Sequence, residues 1–275
     1  MTDAFGVPTE LGAVAVRVRG KGPLLVALHA NPGDGRDFDA VAGPLAEAHT
    51  LAVLDWPGYG DSPATDPDAV TAPALAGVLD TVLPAILKHT GHPDAVLIGN
   101  SVGGYAALRQ ALEHPERVRG LVLIAPGGLS RMTALTRAAC RFMAHPGVAA
   151  RLAGPLASGY TWRRTPTARA ALRRAYAVRN DPVRLRVYRA IWRSFADPAH
   201  NLRGRVGALR VPVLLTWGWG DPVLPRLTDG RRAARIIPGA TLRTFVSGHE
   251  PHAEVPGQWL AAVQEFLRPL SPVAR

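Results

Sequence analysis

One serine lies in a sequence pattern that can turn its hydroxyl group into a nucleophile. Residues 99–103 read Gly-Asn-Ser-Val-Gly, the G-x-S-x-G pattern, with Ser101 at the centre. The apolar residues 95–98 predict a buried strand before it, and residues 102–114 predict a helix after it. A turn this sharp strains the serine backbone and needs small neighbours, which the flanking glycines provide. The alternative is a turn that only joins a strand to a helix, so the chain must also supply a base, an acid and an oxyanion hole.

An aspartate and a histidine, Asp221 and His249, follow predicted strands later in the chain. Asp221 comes after the apolar run at residues 211–217 and His249 after the last strand, predicted at residues 241–246. Because catalytic groups gather at the carboxyl ends of parallel strands, we expect both side chains to lie near Ser101. The histidine would remove the serine proton while the aspartate fixes the imidazole tautomer. The alternative for Asp221 is an aspartate that only caps a turn.

Short apolar runs that alternate with helical patterns predict the scaffold that positions these residues. The runs before residue 128 cover residues 24–28, 51–54, 95–98 and 118–124. This alternation predicts a parallel sheet with right-handed crossovers. Residues 11–19, in which apolar and polar residues alternate, predict an antiparallel edge strand. The pattern resumes at residues 211–217 and ends with a helix at residues 256–267, so the fold class is α/β.

A segment rich in arginine interrupts this alternation. Residues 129–205 show no convincing strand pattern, and apolar residues recur at helical spacing in residues 183–195. Residues 129–210 contain seventeen arginines and two acids, a net charge of +15, against +11 for the whole chain. We therefore predict a helical lid at residues 129–205, inserted into a core formed by residues 1–128 and 206–275.

Together these motifs resemble the α/β-hydrolase superfamily, in the branch that carries a helical lid between the sixth and seventh strands. The matching segments are His-Ala-Asn-Pro-Gly at 29–33, Asp-Trp-Pro-Gly-Tyr-Gly-Asp-Ser at 55–62, Gly-Asn-Ser-Val-Gly-Gly at 99–104, Trp-Gly-Trp-Gly-Asp at 217–221 and Gly-His-Glu-Pro-His-Ala-Glu-Val-Pro at 248–256. The resemblance implies a mostly parallel central sheet flanked by helices. It also implies a triad in the chain order Ser101, Asp221, His249.

The resemblance further assigns an oxyanion hole and chooses between two histidines. It places the oxyanion against the backbone N–H groups of Asn31 and Val102. The family pattern gives catalysis to His249 and leaves His252 in the first turn of the terminal helix. One residue departs from the family, because Ala30 stands where glycine is usual, and its Cβ atom would alter how the loop approaches a substrate.

The activity implied is hydrolysis of an ester, a thioester or a lactone of a small or medium organic molecule, through an acyl-serine intermediate. The same triad and a similar lid serve carbon–carbon bond hydrolases, and also biosynthetic enzymes that cyclise a substrate or transfer an acyl group. The alternative of a different class is a relative that binds a ligand in the same cleft without catalysis. The intact triad argues against that alternative.

The predicted lid would determine the substrate. Its aromatic residues Trp162, Tyr188 and Trp192 are predicted to contact the substrate. Its arginines either form a solvated outer face or recognise an anion, such as a carboxylate substrate or an acyl group on an acidic carrier protein. No nucleic-acid-binding motif accompanies them, so we do not expect binding to nucleic acid.

Composition limits the remaining possibilities. No apolar run reaches the roughly 18 residues that span a bilayer, and the N-terminus lacks a basic region followed by an apolar one, so we expect a cytoplasmic protein. Cys140 is the only cysteine, which excludes an intramolecular disulfide and argues against a cysteine-based metal site. Neither a metal nor an organic cofactor is implied. The sequence leaves the oligomeric state and the identity of the substrate undetermined.

Overall fold

An eight-stranded, mostly parallel sheet forms the centre of the protein, in a computed structural model that describes residues 2–270. The strands are β1 (Asp3–Val7), β2 (Val14–Arg19), β3 (Leu24–Leu28), β4 (Thr50–Leu54), β5 (Ala95–Asn100), β6 (Val118–Ile124), β7 (Val213–Gly218) and β8 (Thr241–Phe245). They lie side by side in the order β1-β2-β4-β3-β5-β6-β7-β8. Among these strands β2 alone runs antiparallel to its neighbours. The predicted α/β fold with a mostly parallel sheet is confirmed.

Burial explains which strands the sequence reveals. β3, β4 and β5 are buried along their whole length, as their continuous apolar residues predict. β2 alternates in burial, but the prediction that it forms the edge is wrong, because β1 pairs with its outer side. The sequence analysis did not predict β1, whose residues Asp-Ala-Phe-Gly-Val are mostly exposed and show no clear alternation. Backbone pairing with β2 defines this strand.

Helices cover both faces of the sheet. Those in the described residues are α1 (Asp39–Ala46), α2 (Ala72–Thr90), α3 (Val102–Glu113), α4 (Ala134–Ala144), α5 (Pro146–Tyr160), α6 (Pro166–Ala177), α7 (Pro182–Ser194), α8 (Arg231–Ile236), α9 (Pro251–Glu254) and α10 (Pro256–Leu267). α2, α3 and α8 share one buried apolar cluster with the sheet, and α1 and α10 share a second. The central strands β3, β4 and β5 lie between these two clusters and are buried on both faces. This burial explains why their residues are almost all apolar.

The segment between β6 and β7 is helical and contains α4 to α7. Two of these helices begin at caps that the sequence shows, each followed by proline at the first helical position. Thr165 Oγ1 accepts a hydrogen bond from the N–H of Ala168 at 3.1 Å, and the Asp181 carboxylate accepts from Val183 and Arg184. No helix within residues 2–270 is long and apolar enough to cross a membrane.

The turn between β5 and α3 has the strained geometry that the glycine pattern predicts. Ser101 has φ 53° and ψ −110°, a backbone conformation that residues other than glycine rarely adopt. A Cβ atom on Gly103 would lie 2.3 Å from the carbonyl oxygen of Leu28, and one on Gly99 would lie 2.5 Å from that of Gly103. The strand ends and the start of α3 therefore meet at a separation that only glycine permits.

We expect Gly103→Ala to lower the free energy of unfolding by about 1–3 kcal/mol, the usual cost of forcing a group into a packed site. The matched control is Gly77→Ala, because Gly77 is exposed in α2 and a Cβ atom there meets nothing within 4 Å. The control should gain about 0.5–1 kcal/mol, since alanine favours the helix over glycine. Chemical denaturation measures both variants, and a Gly103→Ala protein as stable as the wild type would contradict the close packing.

Candidate active site

A buried carboxylate and imidazole form a hydrogen-bonded pair at the carboxyl ends of β7 and β8. His249 Nδ1 lies 2.6 Å from Asp221 Oδ2, and both residues are only 4% exposed. The other carboxylate oxygen, Oδ1, accepts the backbone N–H groups of Val223 and Leu224 at 2.9 and 3.0 Å. Because the carboxylate only accepts hydrogen bonds, Nδ1 of the histidine carries the proton. The second ring nitrogen, Nε2, is left as the basic atom.

The carboxylate controls the basicity of this histidine. Burial lowers the pKa of His249, but the negative charge and the hydrogen bond of Asp221 outweigh it, so the pKa lies above its ordinary value. An imidazolium at this position is therefore stabilised when a proton arrives at Nε2. This is the property that a general base needs during attack by a hydroxyl group.

The second histidine of the motif has a different environment. His252 is fully buried, with its ring centroid 4.8 Å from that of Phe38 and 6.0 Å from that of Trp259. Neither ring nitrogen has a hydrogen-bond partner among residues 2–270. Burial, and the nearby charge of His249, lower the pKa of His252 to about 3. His252 is thus a neutral packing residue in α9, and the geometry favours His249 as the base.

Ser101 and the predicted oxyanion donors line one cavity. Ser101, Asn31 and Val102 contribute to its wall, and Ser101 and His249 share a smaller pocket beside it. Within the described chain, the backbone N–H groups of Asn31 and Val102 have no hydrogen-bond partner, and the Ser101 hydroxyl makes no hydrogen bond. Hydrogen bonds of this kind often close only when a substrate is bound. Three residues with unpaired donor groups therefore line a common space.

The loop after β3 that carries Asn31 is held by groups that the sequence analysis did not single out. Tyr59 donates a 2.6 Å hydrogen bond from its hydroxyl to Asn31 Oδ1. His29 Nε2 accepts the backbone N–H of Trp56 at 2.8 Å, which makes His29 a structural residue of the loop. Ala30 is buried without displacing the loop from the cavity. The Cβ atom of Ala30 is accommodated.

The cavity has a volume of about 320 Å³ and a mainly apolar wall. Its apolar side chains are Met132, Ala139, Cys140, Met143, Leu156, Ile191, Trp192, Phe195, Val223 and Leu224. Trp192 lines both spaces and Tyr188 lines the smaller one. The structure does not bring Trp162 into either space, because its ring lies on Gly220 and is 53% exposed. The connection after α5 turns this side chain outward.

The arginines of the helical segment lie outside the cavity and the smaller pocket. Within residues 2–270 no arginine or lysine lines the cavity or the smaller pocket. Arg174 of α6 instead pairs with Asp37 and lies 3.3 Å from Asp34, in the loop after β3. Burial opposes ionisation of Asp34, but its hydrogen bond with Arg36 and the charge of Arg174 lower its pKa to about 2. This arginine fastens the helical segment to the loop that carries Asn31.

A buried glutamate, Glu254, joins the loop of His249 to the helical segment. Its carboxylate accepts the N–H groups of Gly248 at 3.0 Å and Glu250 at 3.3 Å. It also accepts those of Trp162 at 2.7 Å and Arg163 at 2.8 Å, in the connection between α5 and α6. The Gly-His-x-x-His-x-Glu pattern contains this residue, but the pattern alone does not show which backbone groups the carboxylate binds.

Comparison with known proteins decides the family. The profile of the α/β-hydrolase fold family matches residues 23–256, most of the chain. The chain belongs to this family. Among its relatives is the 2-hydroxy-6-oxononadienedioate/2-hydroxy-6-oxononatrienedioate hydrolase of Comamonas testosteroni, which is 27% identical over 263 residues. The match covers 89% of this chain and 88% of that protein.

Solved structures share the fold of this α/β hydrolase. A thermophilic esterase from Thermogutta terrifontis has a TM-score of 0.80 at 22% identity and covers 98% of this chain and 99% of its own. The enol-lactonase from Burkholderia xenovorans LB400 also has a TM-score of 0.80, at 19% identity, and covers 96% of this chain and 100% of its own. The prediction of a hydrolase is confirmed, and both the ester and the carbon–carbon alternatives are consistent with these relatives.

The pKa values of the two histidines should be shifted in opposite directions. We expect NMR titration to place the pKa of His249 above 6.5, its ordinary value, and to leave His252 neutral over the range in which the protein is folded. Asp221→Asn removes the charge but keeps the burial, so the pKa of His249 should fall below the ordinary value. Equal titration of His249 in both proteins would contradict the role of the carboxylate.

Glu254→Gln should cost about 2–3 kcal/mol of unfolding free energy, because a buried carboxylate that accepts several N–H groups is replaced by a neutral amide. Glu265→Gln is the control, since that side chain is 64% exposed and its ion pair with Arg243 is solvated. The control should change stability by about 0–1 kcal/mol. Thermal unfolding at one pH compares them, and equal effects would refute the anchoring role of Glu254.

Proposed function

We propose that this α/β hydrolase is a serine hydrolase that cleaves an uncharged ester or lactone with an apolar acyl or alcohol group. The observation that carries the proposal is the setting of Ser101. This residue stands on a strained turn in the wall of an apolar cavity, beside the paired His249 and Asp221. Asn31 and Val102, whose backbone N–H groups have no hydrogen-bond partner within the described chain, line the same cavity.

Each of these residues has its own role in the proposed reaction. Ser101 Oγ attacks the acyl carbon while His249 Nε2 takes its proton, and Asp221 stabilises the imidazolium. The N–H groups of Asn31 and Val102 donate to the oxyanion, and each such donor typically contributes about 3 kcal/mol to the transition state. The imidazolium returns the proton to the leaving oxygen. Water then attacks the acyl-serine with the same base, which releases the acid and restores Ser101.

The cavity wall supports an uncharged substrate. The relative from Comamonas testosteroni acts, by its name, on a dioate, a molecule with two carboxylates. Neither the cavity nor the smaller pocket has a lysine or arginine in its described wall. A carboxylate buried there would lose its hydration without gaining a lysine or arginine partner, and it would share the cavity with the Asp197 carboxylate, beside the imidazole of His200. The cavity therefore favours an ester or lactone over the carbon–carbon alternative, and it gives no support to an anionic substrate.

Helices α4 to α7 act in this proposal as the lid, within residues 129–205. Met143 and Cys140 of α4, Leu156 of α5 and Trp192 of α7 supply the cavity wall that faces the sheet. The lid thus selects the substrate by its apolar surface. Its arginines remain outside the cavity.

A fluorophosphonate should modify Ser101 alone, as mapped by mass spectrometry. We expect Ser101→Ala to abolish the adduct and to lower kcat/KM for a neutral p-nitrophenyl ester by at least about 10⁴-fold, because the nucleophile is lost. Ser158→Ala is the matched control, since Ser158 only bonds Arg164 and lies outside the cavity wall. Its adduct and rate should equal those of the wild type. A folded protein that forms no adduct would refute the proposal.

Charge on the substrate gives a second test. A p-nitrophenyl ester of a fatty acid should be cleaved with a higher kcat/KM than the ester of a dicarboxylic half-acid of equal length, since the described wall has no lysine or arginine and includes the carboxylate of Asp197. The expected ratio is about 10-fold or more, equivalent to about 1.4 kcal/mol. Preference for the charged ester, or turnover of a dienoate by carbon–carbon cleavage, would overturn the assigned substrate class.

A further inference from the structure

Two tryptophans, Trp162 and Trp219, lie exposed outside the cavity, on segments that contact each other at Gly220. Trp162 is 53% exposed and Trp219 is 56% exposed. The Trp162 ring packs so closely on Gly220 that a Cβ atom on this glycine would lie 1.6 Å from Trp162 Cζ2. Arg163 Nε donates to the carbonyl oxygen of Val246 at 2.8 Å, and Val246 is itself 55% exposed. Trp162, Trp219 and Val246 thus form one surface, the tryptophan patch.

The hydrogen bonds beneath the tryptophan patch hold it in place. Glu254 accepts the backbone N–H groups of Trp162 and Arg163, and Thr165 Oγ1 donates to the carbonyl oxygen of Ala253 at 2.6 Å. The N–H of Trp219 donates to Phe245 at 2.8 Å. The segment that presents the indole rings is therefore ordered before any partner arrives. Large apolar side chains held in the open in this way usually mark a contact surface.

Positive charge surrounds the patch. The three segments that form it, residues 160–166, 217–227 and 243–248, contain one acid, the buried Asp221. Arg163, Arg164 and Arg226 form no ion pair within the described chain, and the Arg226 guanidinium lies 4.0 Å from the centre of the Trp219 ring. Residues 129–180, which include Arg163 and Arg164, contain ten arginines and no acid. A partner of negative charge complements this surface.

We propose that the tryptophan patch docks the protein on an anionic lipid surface. Indole rings have an apolar body and a polar N–H group and settle at the level of lipid headgroups. Unpaired arginines are attracted to anionic headgroups and bury their stems along apolar surface. A second copy of the chain fits less well, because two patches face to face would bring arginines of like charge together. The proposal does not depend on the hydrolysis proposed above.

Co-sedimentation of the full chain with vesicles tests the docking surface. We expect binding to phosphatidylcholine vesicles that contain phosphatidylglycerol, little binding to pure phosphatidylcholine, and release at high salt. Trp162→Ser combined with Trp219→Ser should weaken binding by more than about 10-fold, because the buried apolar area is lost. Arg163→Gln and Arg226→Gln should each weaken it by about five-fold. Thermal unfolding of each variant reports that it is folded.

Tryptophan fluorescence locates the contact. Trp56, Trp217 and Trp259 are fully buried and Trp192 lines the cavity, so a blue shift on vesicle binding should come from Trp162 and Trp219. The double variant should show no shift. A second exposed apolar pair, Leu135 and Phe142 of α4, supplies the matched control. Leu135→Ser combined with Phe142→Ser should bind vesicles as the wild type does.

Several results would overturn the proposal. These are equal binding to neutral and anionic vesicles, no binding to either, or loss of binding in the α4 control while the tryptophan variant still binds. Binding to polyglutamate without binding to vesicles would also overturn it, and would make the patch a site for an acidic protein.

Discussion

The contact between the start of α3 and the ends of β3 and β5 is the constraint on which the rest of the site depends. Gly103 lies against the carbonyl oxygen of Leu28, and Gly99 lies against that of Gly103, so a side chain at either position would separate the strands from the helix. This packing compensates for the strained φ of Ser101. It also brings the N–H of Val102 and the loop after β3 to one side of the serine. The proposed nucleophile and its proposed oxyanion donors are therefore positioned by the same backbone contact.

Buried carboxylates hold the irregular loops that complete the site. Asp55 is fully buried and accepts hydrogen bonds from both terminal nitrogens of Arg17 and from the N–H of Gly35. Asp221 and Glu254 act in the same way on the loops after β7 and β8. Loops cannot satisfy their own N–H groups as helices and strands do, so each carboxylate replaces a missing ladder of backbone hydrogen bonds. Of these three, only Asp221 also forms a hydrogen bond with the imidazole of His249, which lines the smaller pocket.

Periodicity and motif order predict the parts of this structure that depend on local chemistry. The apolar runs predict β3 to β7 because these strands are almost entirely buried, whereas β8 is a mostly exposed edge strand. The chain order of serine, aspartate and histidine predicts which loops meet. β1 could not be predicted, since it depends on pairing with β2 rather than on its own residues. The outward position of Trp162 depends on the path of the α5–α6 connection, which Glu254 determines from 92 residues away. Such contacts between distant segments leave no periodic signal, and the same holds for the placement of the arginines outside the cavity.

Hydrogen bonds fix the α5–α6 connection of the helical segment to the loop of His249. The N–H of His249 itself donates to the carbonyl oxygen of Tyr160 at 2.9 Å, at the end of α5. A rigid swing of α5 and α6 away from the sheet would therefore drag the imidazole with it. In the described chain α4 shares no hydrogen bond with that loop. A displacement of α4 would therefore leave the hydrogen bonds of the His249 loop intact, whereas a displacement of α5 would break one of them or shift the imidazole.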